Sequence, residues 1–174
     1  MKDLARKRSS ISEQVEKALN DQIKLEAHSS AIYLSMSSWL DDHGFLNCSE
    51  LMLTQSGEER EHMLKFFKYV GDAGSRAISP EITNVPQDFE SFRDIFELAL
   101  EQEIKVTQSI HNLYDIATKA KDYTTTHFLD FFLKEQFEEE FKARRAVELF
   151  DIVGTEGDWK FILDKEIPAI TFEA

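Results

Sequence analysis

A metal-type donor interrupts each of four apolar helical stripes in this chain, and the interruptions recur at fixed offsets. Glu26 and Glu59 stand 33 positions apart, as do Glu103 and Gln136, and both members of the first pair recur 77 positions later. A carboxylate among Leu, Phe and Val is costly to bury unless a cation meets it. Four helices that all place such a group at mid-length predict an all-α bundle with a metal centre between its helices.

Helical periodicity runs through the whole chain, with no strand or hairpin signal. Ser10-Ile11-Ser12-Glu13 is a capping pattern that opens the first helix, which runs to about Asp42 before His43-Gly44. Asn47-Cys48-Ser49-Glu50 opens the second, which fades at Gly71 and Gly74. Residues 75–90 hold Pro80 and Pro86 and read as an extended connection. Ser91-Phe92-Arg93-Asp94 opens a third helix ending near Lys121. Thr124 or Thr125 opens a fourth that stops before Gly154, and Asp158 caps a short fifth helix before Pro168. The long helices reach about 40 Å each. Tight links join the first pair and the last pair, so each is an antiparallel hairpin. The middle connection can stretch about 50 Å. It therefore crosses the bundle's full length and makes the second and third helices parallel. Residues 1–174 form one domain, with 1–9 as a flexible arm carrying Lys2, Arg6, Lys7 and Arg8.

Side chains three and four apart share a helix face, and this spacing gives four rows. They are Val15, Leu19, Glu26, Tyr33, Met36 and Leu40; then Met52, Gln55, Glu59, His62, Phe66 and Tyr69. The third is Phe92, Phe96, Ala99, Glu103, Val106, Ile110 and Leu113; the fourth is Phe128, Phe132, Gln136, Glu139, Ala143, Val147 and Phe150.

Charge and cysteine content narrow the partners. A net charge of −13 leaves no basic stripe for nucleic acid and suits cations instead. The single cysteine, Cys48, forms no internal disulfide and favours a reducing, cytoplasmic setting. No apolar run reaches membrane-spanning length, and Lys2–Ser10 lacks the apolar core of a signal peptide.

Glu59-x-x-His62 places a carboxylate and an imidazole one turn apart on one face. Di-iron carboxylate bundles combine a Glu from each of two helices with a Glu-x-x-His from each of the other two. Here the second such motif is replaced by Gln136-Phe137-Glu138-Glu139. The centre is thus asymmetric and rich in oxygen donors, which suits Fe(III). Weaker ligation on one side also lets the oxidised ion leave.

Leu25-Glu26 with Tyr33, Glu58-Glu59-Arg60-Glu61-His62, Glu103 and Glu135-Gln136-Phe137-Glu138-Glu139-Glu140 together resemble the ferritin family, the bacterial non-haem ferritins in particular. Phe161-Ile162-Leu163-Asp164-Lys165-Glu166 looks like the family's last helix, so the resemblance covers essentially the whole chain. It implies a ferritin-like four-helix bundle with a short fifth helix, and intracellular iron storage with ferroxidase activity. Glu26, Glu59 and His62 would hold one iron, and Glu59, Glu103, Gln136 and Glu139 a second, with Glu59 bridging. Tyr33 would hydrogen-bond near the centre or supply an electron. Glu58, Glu135 and Glu138, with Glu139, look like the additional third iron site. The resemblance also implies a homo-oligomeric cage of about 24 subunits, with Fe(II) and O2 or H2O2 as substrates. The runner-up is a non-storing di-iron oxidase or peroxidase on the same bundle.

Departures from the family sharpen the expectation. Arg60 stands where the haem-binding branch has Met, so no haem is expected. One cysteine excludes a rubredoxin-like Cys-x-x-Cys module. Thr126 and Leu129 stand where animal-type cages place channel acids. Gly57 inside a helix costs about 1 kcal/mol and suggests a close backbone approach.

Overall fold

The computed structural model describes residues 9–154 and 156–173, and all regular structure among them is helical. Four long helices, α1 (Glu13–Asp42), α2 (Leu46–Asp72), α3 (Phe92–Lys119) and α4 (Tyr123–Val153), precede the short α5 (Trp159–Glu166) and a 3₁₀ turn, Ile167–Ala169. The expected arm, residues 1–9, lies outside the described residues except for Ser9, whose hydroxyl donates to the Ala73 carbonyl at 2.7 Å.

The helix starts follow local capping chemistry, with two of them shifted. Ser12 accepts from the Val15 N–H at 3.3 Å and Ser91 from Asp94 at 3.1 Å, each satisfying an orphan donor of the first turn. The fourth helix begins earlier than Thr124, because Asp122 accepts from the Thr125 N–H at 3.0 Å and from its hydroxyl at 2.6 Å. Asp158 sits at the start of α5 but makes no capping bond. Nor does α2 open at Asn47: Phe45 precedes its first residue and offers no cap. Asp164 of α5 supplies it, accepting from the Cys48 N–H at 2.9 Å, the Asn47 N–H at 3.3 Å and the Asn47 side chain at 2.7 Å. One buried carboxylate thus neutralises the positive end of α2 and anchors α5 to the bundle.

α1 pairs with α2, α3 with α4, and α1 with α3. The connection 73–91 is fastened along α1. Asn20 bonds the Arg76 carbonyl and the Ile78 N–H, His28 meets the Thr83 carbonyl at 3.0 Å, and Ser35 donates to the Pro86 carbonyl. The chain therefore climbs α1 from Asn20 to Ser35 before α3 begins, which makes α2 and α3 parallel.

Two apolar clusters fill the bundle. One gathers Met36, Leu40, Met52, Phe92, Phe96 and Phe150; the other Leu19, Ile23, Phe66, Ile110, Leu129 and Phe132. Between them lies a buried polar layer. On α4 the inward row runs through Leu129 and Ala146, leaving Phe128, Ala143 and Val147 half-buried. Gly57 is exposed, and a Cβ there would meet nothing within 4 Å, so no backbone approaches it closely.

Candidate metal centre

The polar layer is built from the middle turns of all four long helices. Glu26 from α1 and Glu59 with His62 from α2 bring one ligand atom each to within 4.8 Å of one another. All three are buried, at 1%, 1% and 5% exposure. The Glu26 Oε1 accepts from Gln22 Nε2 at 2.7 Å. Its Oε2, and the Oε2 of Glu59, are buried with no hydrogen-bond partner. Such orphaned carboxylate oxygens are expensive in a protein interior. Two of them beside an imidazole form a donor set that fits a divalent or trivalent cation.

Glu103 lies outside that trio. It accepts from the Tyr33 hydroxyl on Oε1 and from Gln136 Nε2 on Oε2 at 3.0 Å. Gln136 spends its N–H donors on Glu103, leaving its carbonyl oxygen as the available ligand atom. Glu139 completes the layer, with Lys142 Nζ at 3.3 Å.

Electrostatics favour a cation here. Burial lifts Glu59 well above the carboxylate range, and the neighbouring Glu26 and Glu103 lift it further. Glu103 is pushed up to about 7 by burial, against the downward pull of the Tyr33 and Gln136 hydrogen bonds. Burial also raises Glu26 and Glu139. Tyr33 is held well above its ordinary range by burial and then by the Glu103 charge. Burial and nearby Lys65 lower His62 to about 4, so its imidazole is neutral at pH 7 with a lone pair free to bind metal. Like-charged carboxylates this close cannot all ionise unaided. A bound cation displaces their protons and makes the charges mutually compatible.

A second acidic group, Glu58, Glu135 and Glu138, lines an open cleft beside His62. Lys142 Nζ lies 2.6 Å from Glu138, and Gln55 donates to Glu58 at 2.8 Å. The His62 ring nitrogen is 4.0 Å from Glu135. Glu61 and the two lysines, Lys65 and Lys142, line the same cleft and escaped the sequence reading. The 77-residue offset would have found them, since it carries Glu58 to Glu135, Glu61 to Glu138 and Lys65 to Lys142. Gln22 was also missed, its role visible only once its amide met Glu26. His28, His43, His111 and His127 lie apart from the centre, with His127 paired to Asp130 at 3.2 Å.

The family model for the ferritin-like domain matches residues 16–153. A probable bacterial non-heme ferritin-like protein of Haemophilus influenzae is 33% identical over 164 residues, covering 94% of this chain and 99% of the relative. The bacterial non-heme ferritin of Campylobacter jejuni is 32% identical over 160 residues, covering 92% and 96% respectively. Among solved structures, an open pore ferritin from the hyperthermophilic archaeon Archaeoglobus fulgidus superposes with a TM-score of 0.87 at 36% identity, covering 92% of this chain and 99% of its own.

Proposed function

The chain belongs to the ferritin family, and on that premise we propose that it stores iron by oxidising Fe(II) at the layer between its four long helices and passing Fe(III) to a mineral inside a closed cage of about 24 copies. The observation that carries this reading is the pair of unpartnered buried oxygens on Glu26 and Glu59 beside neutral His62.

Glu26, Glu59 and His62 hold one Fe(II), and Glu59, Glu103, Gln136 and Glu139 the second, with Glu59 shared. Iron is substrate here, so the site must also release its product. The weaker Gln136–Glu139 side serves that departure. Carboxyls raised by burial lose their protons as iron binds, which couples binding to pH. Each Fe(II) gives up one electron to O2 or H2O2. Tyr33 orients Glu103 through its hydroxyl. Glu58, Glu135 and Glu138 form the outer station on the way to the mineral, countered by the Lys142 ammonium. Large exposed apolar side chains support self-association, among them Tyr123 at 70% and Phe161 at 72% exposure.

Aerobic loading with excess Fe(II), followed by sedimentation velocity, tests the storage reading. Iron should co-sediment with a very large particle at far more than a few ions per chain. A small oligomer saturating at the site stoichiometry would make the protein a non-storing di-iron oxidase. Glu59→Ala should abolish fast oxidation and leave the particle size unchanged; an unaltered rate would remove Glu59 from the site.

A further inference from the structure

Resting on the ferroxidase reading, we propose that the oxidant has its own binding chamber: a small, mostly apolar cavity between the four long helices and the 3₁₀ turn that holds dioxygen against the Tyr33–Glu103 side of the centre, next to the acidic cleft through which iron passes and divided from it by Glu139 and Lys142.

The cavity offers about 60 Å³ to water-sized molecules. One such molecule needs roughly 10–15 Å³, so a diatomic gas fits. Three alanines, Ala99, Ala143 and Ala146, line it together with Met52, Phe96 and Ile167. Its polar end is formed by Tyr33, Gln55, Glu103, Glu139 and Lys142, of which Glu103 and Glu139 are assigned to the second iron.

The two halves of the chain show how the space arises. The 77-residue offset that relates the ligands also relates Ala99 to Gln22, Ala143 to Phe66 and Ala146 to Tyr69. In the first half, Gln22 is fully buried against Glu26, Phe66 is fully buried in the apolar cluster with Leu19 and Ile23, and Tyr69 is half-buried. The second half carries a methyl group at each corresponding place. Closure from outside comes from Ile167, Pro168 and Ile170, which extend beyond α5 over the gap. By contrast, the acidic cleft keeps its charged pairs in both halves, Glu58 with Glu135 and Glu61 with Glu138. The two halves therefore differ in the apolar chamber and in the ligands Gln136 and Glu139, which stand opposite Glu59 and His62, but not in the charged pairs of the cleft.

Physical chemistry separates the two approaches. A hydrated Fe(II) ion is penalised on entering a lining dominated by Leu51, Met52, Phe96 and Ile167 with the Lys142 ammonium beside it, whereas the carboxylates of the cleft replace its water directly. Dioxygen has no charge and no hydrogen bonds to lose, so it partitions into apolar space. Hydrogen peroxide does hydrogen-bond to water and is penalised on entering, so it uses the wet acidic cleft. In the dioxygen reaction two Fe(II) each lose one electron. One O2 takes both electrons with two protons and leaves as H2O2.

Two experiments test the chamber. Crystals of the assembled wild-type protein pressurised with xenon, an apolar probe of dioxygen's kind, should show the atom between Ala99, Ala146 and Phe96. An empty chamber there overturns the proposal whatever the iron chemistry does. Ala146→Leu and Ala99→Val then fill the space. The apparent KM for O2 in Fe(II) oxidation should rise by about tenfold, while the H2O2-driven rate and Zn(II) stoichiometry stay unchanged. Parallel loss of both rates with Zn(II) binding intact, or no change in either, overturns the chamber and leaves the ferroxidase reading standing. Absence of fast oxidation in the wild type with both oxidants removes that reading and the proposal with it.

Discussion

Replacing Glu103 by Gln should make the metal-free protein more stable near pH 8 while weakening its grip on metal. Glu103 is 2% exposed and its carboxyl is raised from its ordinary 4.5 to about 7, mainly by burial. Folded Glu103 keeps its proton to higher pH than unfolded Glu103. The folded state therefore binds more protons between pH 4.5 and about 7, and stability falls as pH rises through that window. The loss amounts to roughly 3 kcal/mol once the pH exceeds 7. The substituted amide has no charge to bury. Its carbonyl accepts from Tyr33, and a flip of the Gln136 amide gives its N–H2 an acceptor, so both hydrogen bonds survive. Urea unfolding in a chelator, at equal protein concentration and at pH 5 and pH 8, should show near-equal stabilities at pH 5. At pH 8 the variant should lead by a few kcal/mol. Adding Zn(II) should reverse the order, because ligand binding to the folded state stabilises only where a site remains. A variant weaker than wild type at pH 8 without metal would mean that Tyr33 and Gln136 already hold Glu103 ionised, and the burial argument would fail.

Three further changes follow from the same structure. Asp164→Ala should cost about 2–3 kcal/mol in urea unfolding, since it leaves the N-terminus of α2 uncapped and detaches α5; Asp164→Asn, which still accepts from Cys48, should lose less. Gly57→Ala should stabilise by about 0.5–1 kcal/mol, because an exposed helical glycine with open space gains propensity without a clash; a destabilised variant would mean that another subunit packs there. Lys142→Met removes the ammonium between Glu138 and Glu139 and should raise the number of Zn(II) ions bound per chain in calorimetry; unchanged binding would remove these acids from the outer station.

The sequence alone determined the helical architecture and named the candidate ligands of the centre. Apolar spacing of three and four specifies a helix whatever its surroundings, and a carboxylate in such a row can be tolerated only beside a cation or donors. Glu26, Glu59, His62, Glu103, Gln136 and Glu139 could thus be named from spacing and resemblance, and all six are buried in one layer. Helix ends were less legible, because capping depends on what folds nearby. Nothing local to Phe45 announces that Asp164, more than a hundred residues away, will cap α2. Contacts across the bundle decided the rest: Gln22 supporting Glu26, Tyr33 and Gln136 dividing the two oxygens of Glu103, and Lys142 reaching into the acidic cleft. The apolar chamber belongs to the same class. Its alanines are ordinary residues in a helical row, and only the packing of four helices and a terminal turn leaves the space they fail to fill empty.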